Sequence, residues 1–483
     1  MAKQILTVKN FNGGFSDSEK EGIKGAFLNG QSLDLHTEPT SVTVLPQSVD
    51  ISGGQVTGNI KWIVSGKPYD TNVYFIDEDG QLYRLTNADV FSVVTQIANC
   101  VGQGLELHSD YLYYTQNTQL GRYGTLSSGV PTFDDDFQVS LNPTNASGFA
   151  PLKAFKEGLA VGNGNDLGWW DGAVWDQDRI ILPPGFNIRC LEVLDEFLVI
   201  GAWRGDSITD SEEGYAFFWD GSSTTFNFFV NIPEGGINAL LNSRNRLLSI
   251  VGSSGIVYLG HSPFTKMQQL PRMTPKKYIE VYPGAVTNWK GMALIGFSAD
   301  TDNADILQGV WQWGARSDKY IEVLNFAYPI STGTVTGTGV QITAIKGIGD
   351  RLYIARNDNA DHGVDRVLQT NAPYATAFWE SLIFDDNRPG DEKQAQILKV
   401  THKPLQAGES IQLGFQPNRS GSFTFDIANT VVGTTETRYP IDSAISRFYE
   451  CQLRVNIVTA PTSAPTLTSV ALYYDDGKTE EVF

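Results

Sequence analysis

One local pattern returns along most of this chain: a short apolar strand, a tight turn and a second apolar strand. Several copies end in an Asp-Gly turn, at Asp79-Gly80, Asp171-Gly172 and Asp220-Gly221, a pair that suits hairpins with positive φ. The copies follow one another at a spacing of roughly 40–50 residues, and no stretch shows a helical period. Strand repeats of this length are typical of β-propeller blades.

The repeats can be counted from their first strands, which alternate apolar and polar residues and therefore have two distinct faces. They begin near Gly58, Gly104, Pro151, Asn187, Gly236, Gly284 and Gly339. The sequence therefore predicts an all-β fold with a propeller of about seven blades. Six blades is the alternative, because the repeats are degenerate.

Changes of rhythm predict three regions in the chain. Residues 1–57 form an irregular arm that closes the ring or docks onto it, since a ring of blades needs a seam. Residues 58–385 form the propeller, and a polar, turn-rich stretch follows it. In residues 386–483, five strand-like segments predict an antiparallel β-sandwich. These segments are 395–400, 410–415, 423–427, 448–458 and 467–474.

Composition excludes several classes of protein. Only 18% of the residues are charged, which argues against a disordered chain or a coiled coil. The formal net charge of −19 opposes binding to a phosphate backbone, which requires clustered Lys and Arg. The first residues lack the apolar core of a signal peptide, and no run approaches the ~18 apolar residues of a membrane helix. A soluble protein made in the cytoplasm is expected.

The residue types that usually carry catalysis form no recognisable motif. Zinc-protease, nucleophile-elbow and P-loop patterns are absent from the sequence. The histidines are not at metal-ligand spacing and are interpreted as surface or turn residues, and the dispersed cysteines as buried apolar residues. They are His36, His108, His261, His362 and His402, and Cys100, Cys190 and Cys451. The sequence therefore predicts no enzyme.

Two acidic loops in successive repeats are candidates for a metal site. Both contain the sequence Asp-Asn-Ala-Asp. Calcium takes 6–8 oxygen ligands, which clustered carboxylates and amides can supply. Neither loop has the EF-hand pattern, so solvated hairpins rich in turn-forming residues are favoured, and calcium is the alternative to no cofactor. The candidate residues are Asp300, Asp302 and Asp305 in one loop, and Asp358 and Asp361 in the other.

A further alternative places paired carboxylates in the central channel, where they would hydrolyse glycosides. Glu106, Glu192 and Asp195 are the candidates by position in their repeats. The simpler interpretation is that these charges pair with other groups or face solvent.

Two parts of the chain resemble virion proteins of tailed bacteriophages. The opening Val-Lys-Asn-Phe-Asn-Gly-Gly of residues 8–14, with residues 30–35 and 41–46, resembles the N-terminal arm of the tail nozzle (tail tubular protein B) family. The pattern from residues 393–398 through 448–455 to 465–472 is similar to the sandwich that ends many phage propeller proteins. The chain lacks room for the large inserted domains of a nozzle.

This resemblance implies a structural tail protein, made in the host cytoplasm and incorporated into the virion. It implies a ring of identical subunits, a hexamer by expectation, attached below the portal and adaptor and contacting other tail proteins. The lumen would guide genome DNA toward ejection without binding it specifically, and the outer face would hold fibres. The arm and the sandwich are expected to make the subunit contacts. The alternatives are a carbohydrate- or receptor-binding tail protein and a polysaccharide-degrading enzyme.

Overall fold

The chain is almost entirely β-structure, with one short 3-10 helix at Leu126–Ser128 in the part that is described. No helix in that part is long and apolar enough to cross a membrane. The computed structural model describes residues 3–16, 18–22, 24–38, 40–97, 104–116, 119–138, 141, 148–205, 207–208, 211, 213–232, 235–244, 246–251, 256–259, 265–269, 279–299, 307–315, 321–337 and 339–476.

Five short strands precede the repeats. They are β1 Lys3–Val8, β2 Phe27–Gln31, β3 Leu33–Asp34, β4 Thr43–Val44 and β5 Ser48–Asp50.

The next 28 strands include the predicted repeats. Blade one contains β6 Ile60–Ser65, β7 Val73–Asp77, β8 Gln81–Leu85 and β9 Phe91–Gln96. Blade two contains β10 Leu105–His108, β11 Tyr111–Gln116, β12 Gln119–Gly124 and β13 Thr132–Gln138. Blade three contains β14 Leu152–Phe155, β15 Gly158–Asn163, β16 Asp166–Trp170 and β17 Trp175–Ile181. Blades four and five contain β18 Phe186–Leu194, β19 Phe197–Arg204, β20 Glu213–Trp219 and β21 Phe228–Ile232; β22 Ile237–Ser243, β23 Arg246–Val251, β24 Ile256–Leu259 and β25 Thr265–Gln269. Blades six and seven contain β26 Ile279–Glu280, β27 Val286–Trp289, β28 Met292–Ala299, β29 Gly309–Gly314 and β30 Val323–Tyr328; β31 Val340–Ile348, β32 Arg351–Asp358 and β33 Asp361–Val367.

The predicted propeller is confirmed, and it has seven blades among the described residues. Consecutive strands pair antiparallel within each blade, and in blade six β27 and β26 both pair with β28. The first strands β6, β10, β14, β18, β22, β27 and β31 each contact the next, and β31 contacts β6. This closed circuit of first strands is what makes the sheets a ring.

The ring closes through a strand from the N-terminal arm. β5 joins β33 as the fourth strand of blade seven. Next to it, the Ile51 amide donates to the Val364 carbonyl at 2.9 Å, and the Val364 amide donates to Ser52 Oγ at 3.2 Å. The last blade therefore combines strands from both ends of the ring sequence, which leaves no free edge at the seam.

A buried guanidinium holds this seam together. Arg356 Nε donates to Asp365 Oδ1 at 3.0 Å, and both side chains are almost completely buried. Its other nitrogens donate to Asp361 Oδ2 and to Asp50 Oδ2, each at 3.1 Å. Gly363 leaves room for the group, because a Cβ there would lie 2.9 Å from Arg356 Nη2. One side chain thus connects the arm residue Asp50 to two positions of β33.

Aromatic side chains fill the spaces between blades. Trp169 of blade three meets Trp219 of blade four edge-on, with ring centroids 5.2 Å apart. Trp170 meets Phe137 of blade two at 5.0 Å. These tryptophans lie at the ends of the third strands of their blades, because each blade must cover the same face of its neighbour.

The strands after the propeller form two five-stranded antiparallel sheets together with strands of the arm. The strands are β34 Thr376–Ser381, β35 Lys393–His402, β36 Ser410–Pro417, β37 Thr424–Phe425, β38 Glu436–Pro440, β39 Arg447–Phe448, β40 Cys451–Val458 and β41 Leu467–Asp475. One sheet has the order β1-β41-β35-β38, with β39 beside β35, and the other has the order β2-β34-β40-β36-β37.

All five strand-like segments predicted after residue 386 contain strands. The sheets contact through aromatic side chains, for example Phe415 of β36 and Phe448 of β39, whose ring centroids are 5.9 Å apart. The β-sandwich as such stays a prediction. β38 was not anticipated, because Glu436–Pro440 is short and polar.

The chain divides into two compact units at places that differ from the predicted boundaries at residues 57 and 385. A ring unit contains Val49–Val310 and Ile330–Val367, and a terminal unit contains Met1–Ser48, Trp311–Pro329 and Leu368–Phe483. The difference arises because β1 and β2 pair with β41 and β34. Most of the arm is therefore built into the sheets of the terminal unit.

Replacing Arg356 with Met is expected to destabilise the ring unit by about 3–5 kcal/mol, because the Asp365 carboxylate stays buried without its partner. The measurement is the free energy of unfolding in urea, taken from the transition in which the ring unit unfolds.

The matched control is Arg204→Met, which removes an exposed ion pair with Glu213. It is expected to change the free energy of unfolding by at most about 1 kcal/mol. Equal effects of the two substitutions would contradict the role of Arg356 at the seam.

Candidate functional site: the axial cavity

The first strands of the seven blades surround a cavity of about 350 Å³. Each blade contributes one residue at an equivalent position, paired with the second or third residue of its second strand. We call these seven residues the axial ring. They are Val64, Glu106, Lys153, Glu192, Leu241, Thr287 and Lys346.

Four of the seven axial-ring residues are charged, and their charges balance. Lys153 Nζ lies 2.9 Å from Glu192 Oε1, with the two side chains 27% and 16% exposed. Glu106 is half-buried and Lys346 is exposed to the cavity. Within the described chain, neither Glu106 nor Lys346 has a hydrogen bond or an ion pair. The ring thus contains one satisfied ion pair and two opposite charges without direct partners.

The surroundings shift the pKa values of Glu106, Lys153 and Lys346. Burial raises the pKa of the Glu106 carboxyl, and the ammonium groups of Lys153 and Lys346 only partly oppose this. Burial lowers the pKa of Lys346, against the attraction of Glu106. For Lys153 burial acts in the same direction, but the carboxylates of Glu192 and Glu106 outweigh it, so its pKa is raised. Both unpartnered groups are therefore shifted toward neutrality, as desolvated charges are.

Amide side chains link neighbouring blades beside the axial ring. Asn242 Nδ2 donates to the Val193 carbonyl at 2.9 Å, and Asn288 Nδ2 donates to the Asn242 carbonyl. The Gly347 amide donates to Thr287 Oγ1 at 3.3 Å. Asn242 and Asn288 also line the cavity, which gives that side neutral hydrogen-bonding groups.

An aromatic pair and two cations lie toward the starts of the first strands, away from the hairpin turns at their ends. Phe149 and Tyr282 have ring centroids 6.2 Å apart. Lys61 Nζ lies 5.0 Å from the Tyr282 ring, and the Arg189 guanidinium lies 5.0 Å from the Phe149 ring. Glu78 and Glu280 pair with Lys61 and Arg189. Phe149 precedes blade three and Tyr282 lies between β26 and β27 of blade six, so their contact links two blades that are not neighbours in the ring.

Two of the three carboxylates that the sequence suggested for the central channel lie in the axial ring. Glu106 and Glu192 line the same cavity and influence each other electrostatically. Asp195 does not join them, because it occupies the exposed turn between β18 and β19 at φ 53°. A carboxyl with a raised pKa, such as that of Glu106, can exchange protons with a ligand, and Glu192 lies in the same cavity in an ion pair with Lys153.

Both carboxylates of the acidic loop in blade seven bond to other side chains of this chain. Asp358 Oδ2 accepts hydrogen bonds from Thr332 Oγ1 and Thr334 Oγ1, at 2.6 and 2.7 Å. Asp361 pairs with Arg356 at the seam. No group of three or more His, Cys, Asp or Glu side chains within the described ranges could hold a metal ion. The other candidates, Asp300, Asp302 and Asp305, lie outside the described residues.

Cys190, Cys451 and His402 are buried, which suits a structural role. Cys190 and Cys451 are buried and free, and burial raises the pKa of the Cys190 thiol to about 12. His402 contacts Thr437 Oγ1 and the Lys403 carbonyl, and burial lowers its pKa. Cys100 and His261 lie outside the described residues.

The sequence interpretation missed Lys153 and Lys346. A signal was present, however. Each charged member of the axial ring is followed four residues later by an acidic residue of the hairpin turn. The pairs are Glu106 and Asp110, Lys153 and Glu157, Glu192 and Glu196, and Lys346 and Asp350. Aligning the repeats on these turns places all four charges in one column.

No protein-family model and no curated protein matches this sequence. Two solved structures are similar at low identity. The extracellular domain of BT4673 from B. thetaiotaomicron is 13% identical, with a TM-score of 0.46 over 73% of this chain and 43% of that one. The Dos1 propeller is 12% identical, with a TM-score of 0.41 over 70% of this chain and 81% of that one. The assignment of the fold rests on the closed circuit of first strands.

Cys190 lines the cavity, and its environment makes it unreactive. We expect alkylation by iodoacetamide at pH 8 to be at least about a hundredfold slower than that of free cysteine, because little thiolate is present. Peptide mass spectrometry over time measures the rate.

The control is the same protein in guanidinium chloride, where Cys190 should react at an ordinary rate. Rapid alkylation in the native protein would indicate an activated thiol and reopen the question of nucleophilic chemistry in the cavity.

Proposed function

We propose that this chain is a structural protein of a tailed-bacteriophage tail, which assembles into a ring of identical subunits. The proposal starts from the resemblance of residues 8–14 and of the C-terminal segments to virion propeller proteins. It places the chain in a nozzle-like ring below the portal and adaptor, with other tail proteins and fibres as further partners. The activity proposed is assembly, and no catalytic step is part of it.

The residues of the opening phrase have packing roles, which agrees with an architectural motif. Phe11 is buried against Trp379, with ring centroids 5.8 Å apart. The Gly13 amide donates to the Gly25 carbonyl at 3.2 Å. Gly14 has φ 68°, and a Cβ there would lie 2.5 Å from Val323 Cβ. Such positions tolerate few substitutions, and none of these residues supplies a reactive group.

The observation that carries the proposal is an exposed apolar segment in the terminal unit. Between β37 and β38, Ile427, Val431 and Val432 are 87%, 62% and 60% exposed. Beside them Phe425, in β37, is also exposed. Clustered exposed apolar side chains mark interaction surfaces more often than isolated ones. We call residues 425–432 the apolar segment.

Hydrogen bonds hold the apolar segment in place. Asn429 pairs with Ile411 in both directions through the backbone, at 2.8 and 3.1 Å. The Asn429 side chain donates to Thr437 Oγ1 at 2.9 Å and to Thr434 Oγ1 at 3.2 Å. A segment fixed in this way presents its apolar side chains without losing much conformational entropy on binding, which favours an interface.

The partner proposed for the apolar segment is a second copy of this chain. A chain with a net charge of −19 repels its own copies, so self-association requires apolar contacts or local charge pairing. Both charge signs flank the segment, since Glu436 pairs with Lys399 and with Arg438. Full burial of a Val or Ile side chain contributes about 1.5–3 kcal/mol. Three such residues per subunit are a sizeable share of an interface.

The structure changes how the role of the arm is tested. Deletion of residues 1–45 removes β1 and β2 from the sheets of the terminal unit, so loss of incorporation would follow from misfolding alone. Substitutions on the surface of the apolar segment avoid this problem.

The triple variant Ile427→Ser, Val431→Ser, Val432→Ser is expected to shift the chain toward monomers, with self-association weakened at least tenfold. Sedimentation velocity over a concentration series measures the change. The control is Val174→Ser with Ile181→Ser, an equally exposed apolar pair of the ring unit. Unchanged association of the triple variant would reject the apolar segment as the subunit contact.

The virion assignment has its own test. Quantitative mass spectrometry of purified particles from the source is expected to find this chain at a low multiple of six or twelve copies per particle. Its absence from the particles would reject the tail proposal.

The paired carboxylates of the cavity support a second candidate, a polysaccharide-degrading enzyme. Glu106, with its raised pKa, would act as the general acid, and Glu192, which pairs with Lys153, as base or nucleophile. This candidate requires an observed hydrolytic activity that Glu106→Ala and Glu192→Ala abolish and that Asp195→Ala leaves intact. Without such an activity on any polysaccharide tested, the candidate fails.

A further inference from the structure

The axial cavity contains two opposite charges that lack partners. Glu106 belongs to blade two and Lys346 to blade seven, and Val64 of blade one lies between them in the ring. Both line the same cavity, and each contributes to the electrostatic environment of the other. Within the described chain, neither accepts or donates a hydrogen bond. Lys153, in the neighbouring blade three, also acts on Glu106, but its ammonium pairs directly with Glu192 of blade four.

Charged side chains in the axial cavity are unfavourable unless a group of opposite charge binds to them. Taking a charged group out of bulk water without a compensating partner destabilises the protein, and the group responds by shifting toward its neutral form. The Glu106 carboxylate calls for a cationic donor, and the Lys346 ammonium calls for an anionic acceptor. A ligand that has both groups would satisfy both at once.

We propose that the axial cavity binds a small zwitterion of the α-amino-acid type, with its ammonium group at Glu106 and its carboxylate at Lys346. The ligand side chain would lie toward Asn242 and Asn288, which line the cavity and are uncharged.

The size and the openings of the cavity fit this class of ligand. A volume of about 350 Å³ is at the lower end of the range of roughly 300–1,000 Å³ that is typical of ligand sites. Lys346 is exposed and lies near the end of β31 that leads into the hairpin turn, so we expect the ligand to enter from that side.

The charge balance of the axial ring selects against other ligands. Its two Glu and two Lys residues sum to zero, so a simple anion or cation would leave one of the two free charges unmatched. A neutral sugar would leave both unmatched. Unmatched charges lower affinity more than missing apolar contacts do, which makes charge the basis of selectivity here.

The first experiment is calorimetric titration of the full chain with each of the twenty free L-amino acids. At least one is expected to bind with a Kd below about 1 mM, which corresponds to about −4 kcal/mol. Its N-acetyl derivative, which lacks the cation, and its carboxamide, which lacks the anion, are each expected to bind at least tenfold more weakly.

Two variants assign the two ends of the ligand. Glu106→Gln should weaken binding at least tenfold and remove the preference for the amino acid over its N-acetyl derivative. Lys346→Gln should remove the preference for the amino acid over its carboxamide. Glu196→Gln, in the exposed turn after β18, is the control and should leave both preferences unchanged.

These selectivity ratios distinguish a binding role from a structural one, because a merely destabilised cavity would lose affinity for all derivatives in parallel. The proposal is overturned if no amino acid binds with a Kd below about 10 mM. It is also overturned if the charge-blocked derivatives bind as well as the parent, or if both variants keep both preferences. This test does not depend on the tail proposal, since binding is measured on the isolated chain.

Discussion

The architecture depends on the closing of one circuit of strands. Seven first strands contact one another in turn, and the circuit is complete only because β31 meets β6. The seam is secured by β5, which completes blade seven, and by the Arg356 guanidinium, which bonds to carboxylates of Asp50, Asp361 and Asp365. The axial ring is a product of this closure, because its seven side chains come from seven separate repeats and meet only when the last blade docks on the first.

Much of the ring could be predicted from the sequence, because the repeats are local. The first strands begin within two residues of the predicted starts, since Gly and Pro mark the turns and apolar alternation marks the strands. The boundaries of the units could not be predicted in the same way. They depend on pairings between distant segments, such as β1 with β41, that leave no local signal. In the site, Glu106 and Glu192 were identified by position, whereas Lys153 and Lys346 look like ordinary solvent-facing charges until the repeats are aligned on their turns.

The net charge of the axial ring differs from the net charge of the whole chain. The overall charge is −19, yet the axial ring is neutral and contains both signs. A uniformly acidic axis would have been the simplest consequence of the composition. The balanced ring instead combines an internal ion pair with two unpartnered groups of opposite charge.

The location of β5 also sets the order of events during synthesis. Its partner β33 ends at Val367, more than three hundred residues after Asp50. When the ribosome has made blades one to six, the ring is therefore still open and β5 has no partner strand. Long-range pairings of this kind slow folding and expose strand edges, since the loop must close before the contact forms. The strand that closes the finished ring is thus the one that waits longest for its partner during synthesis.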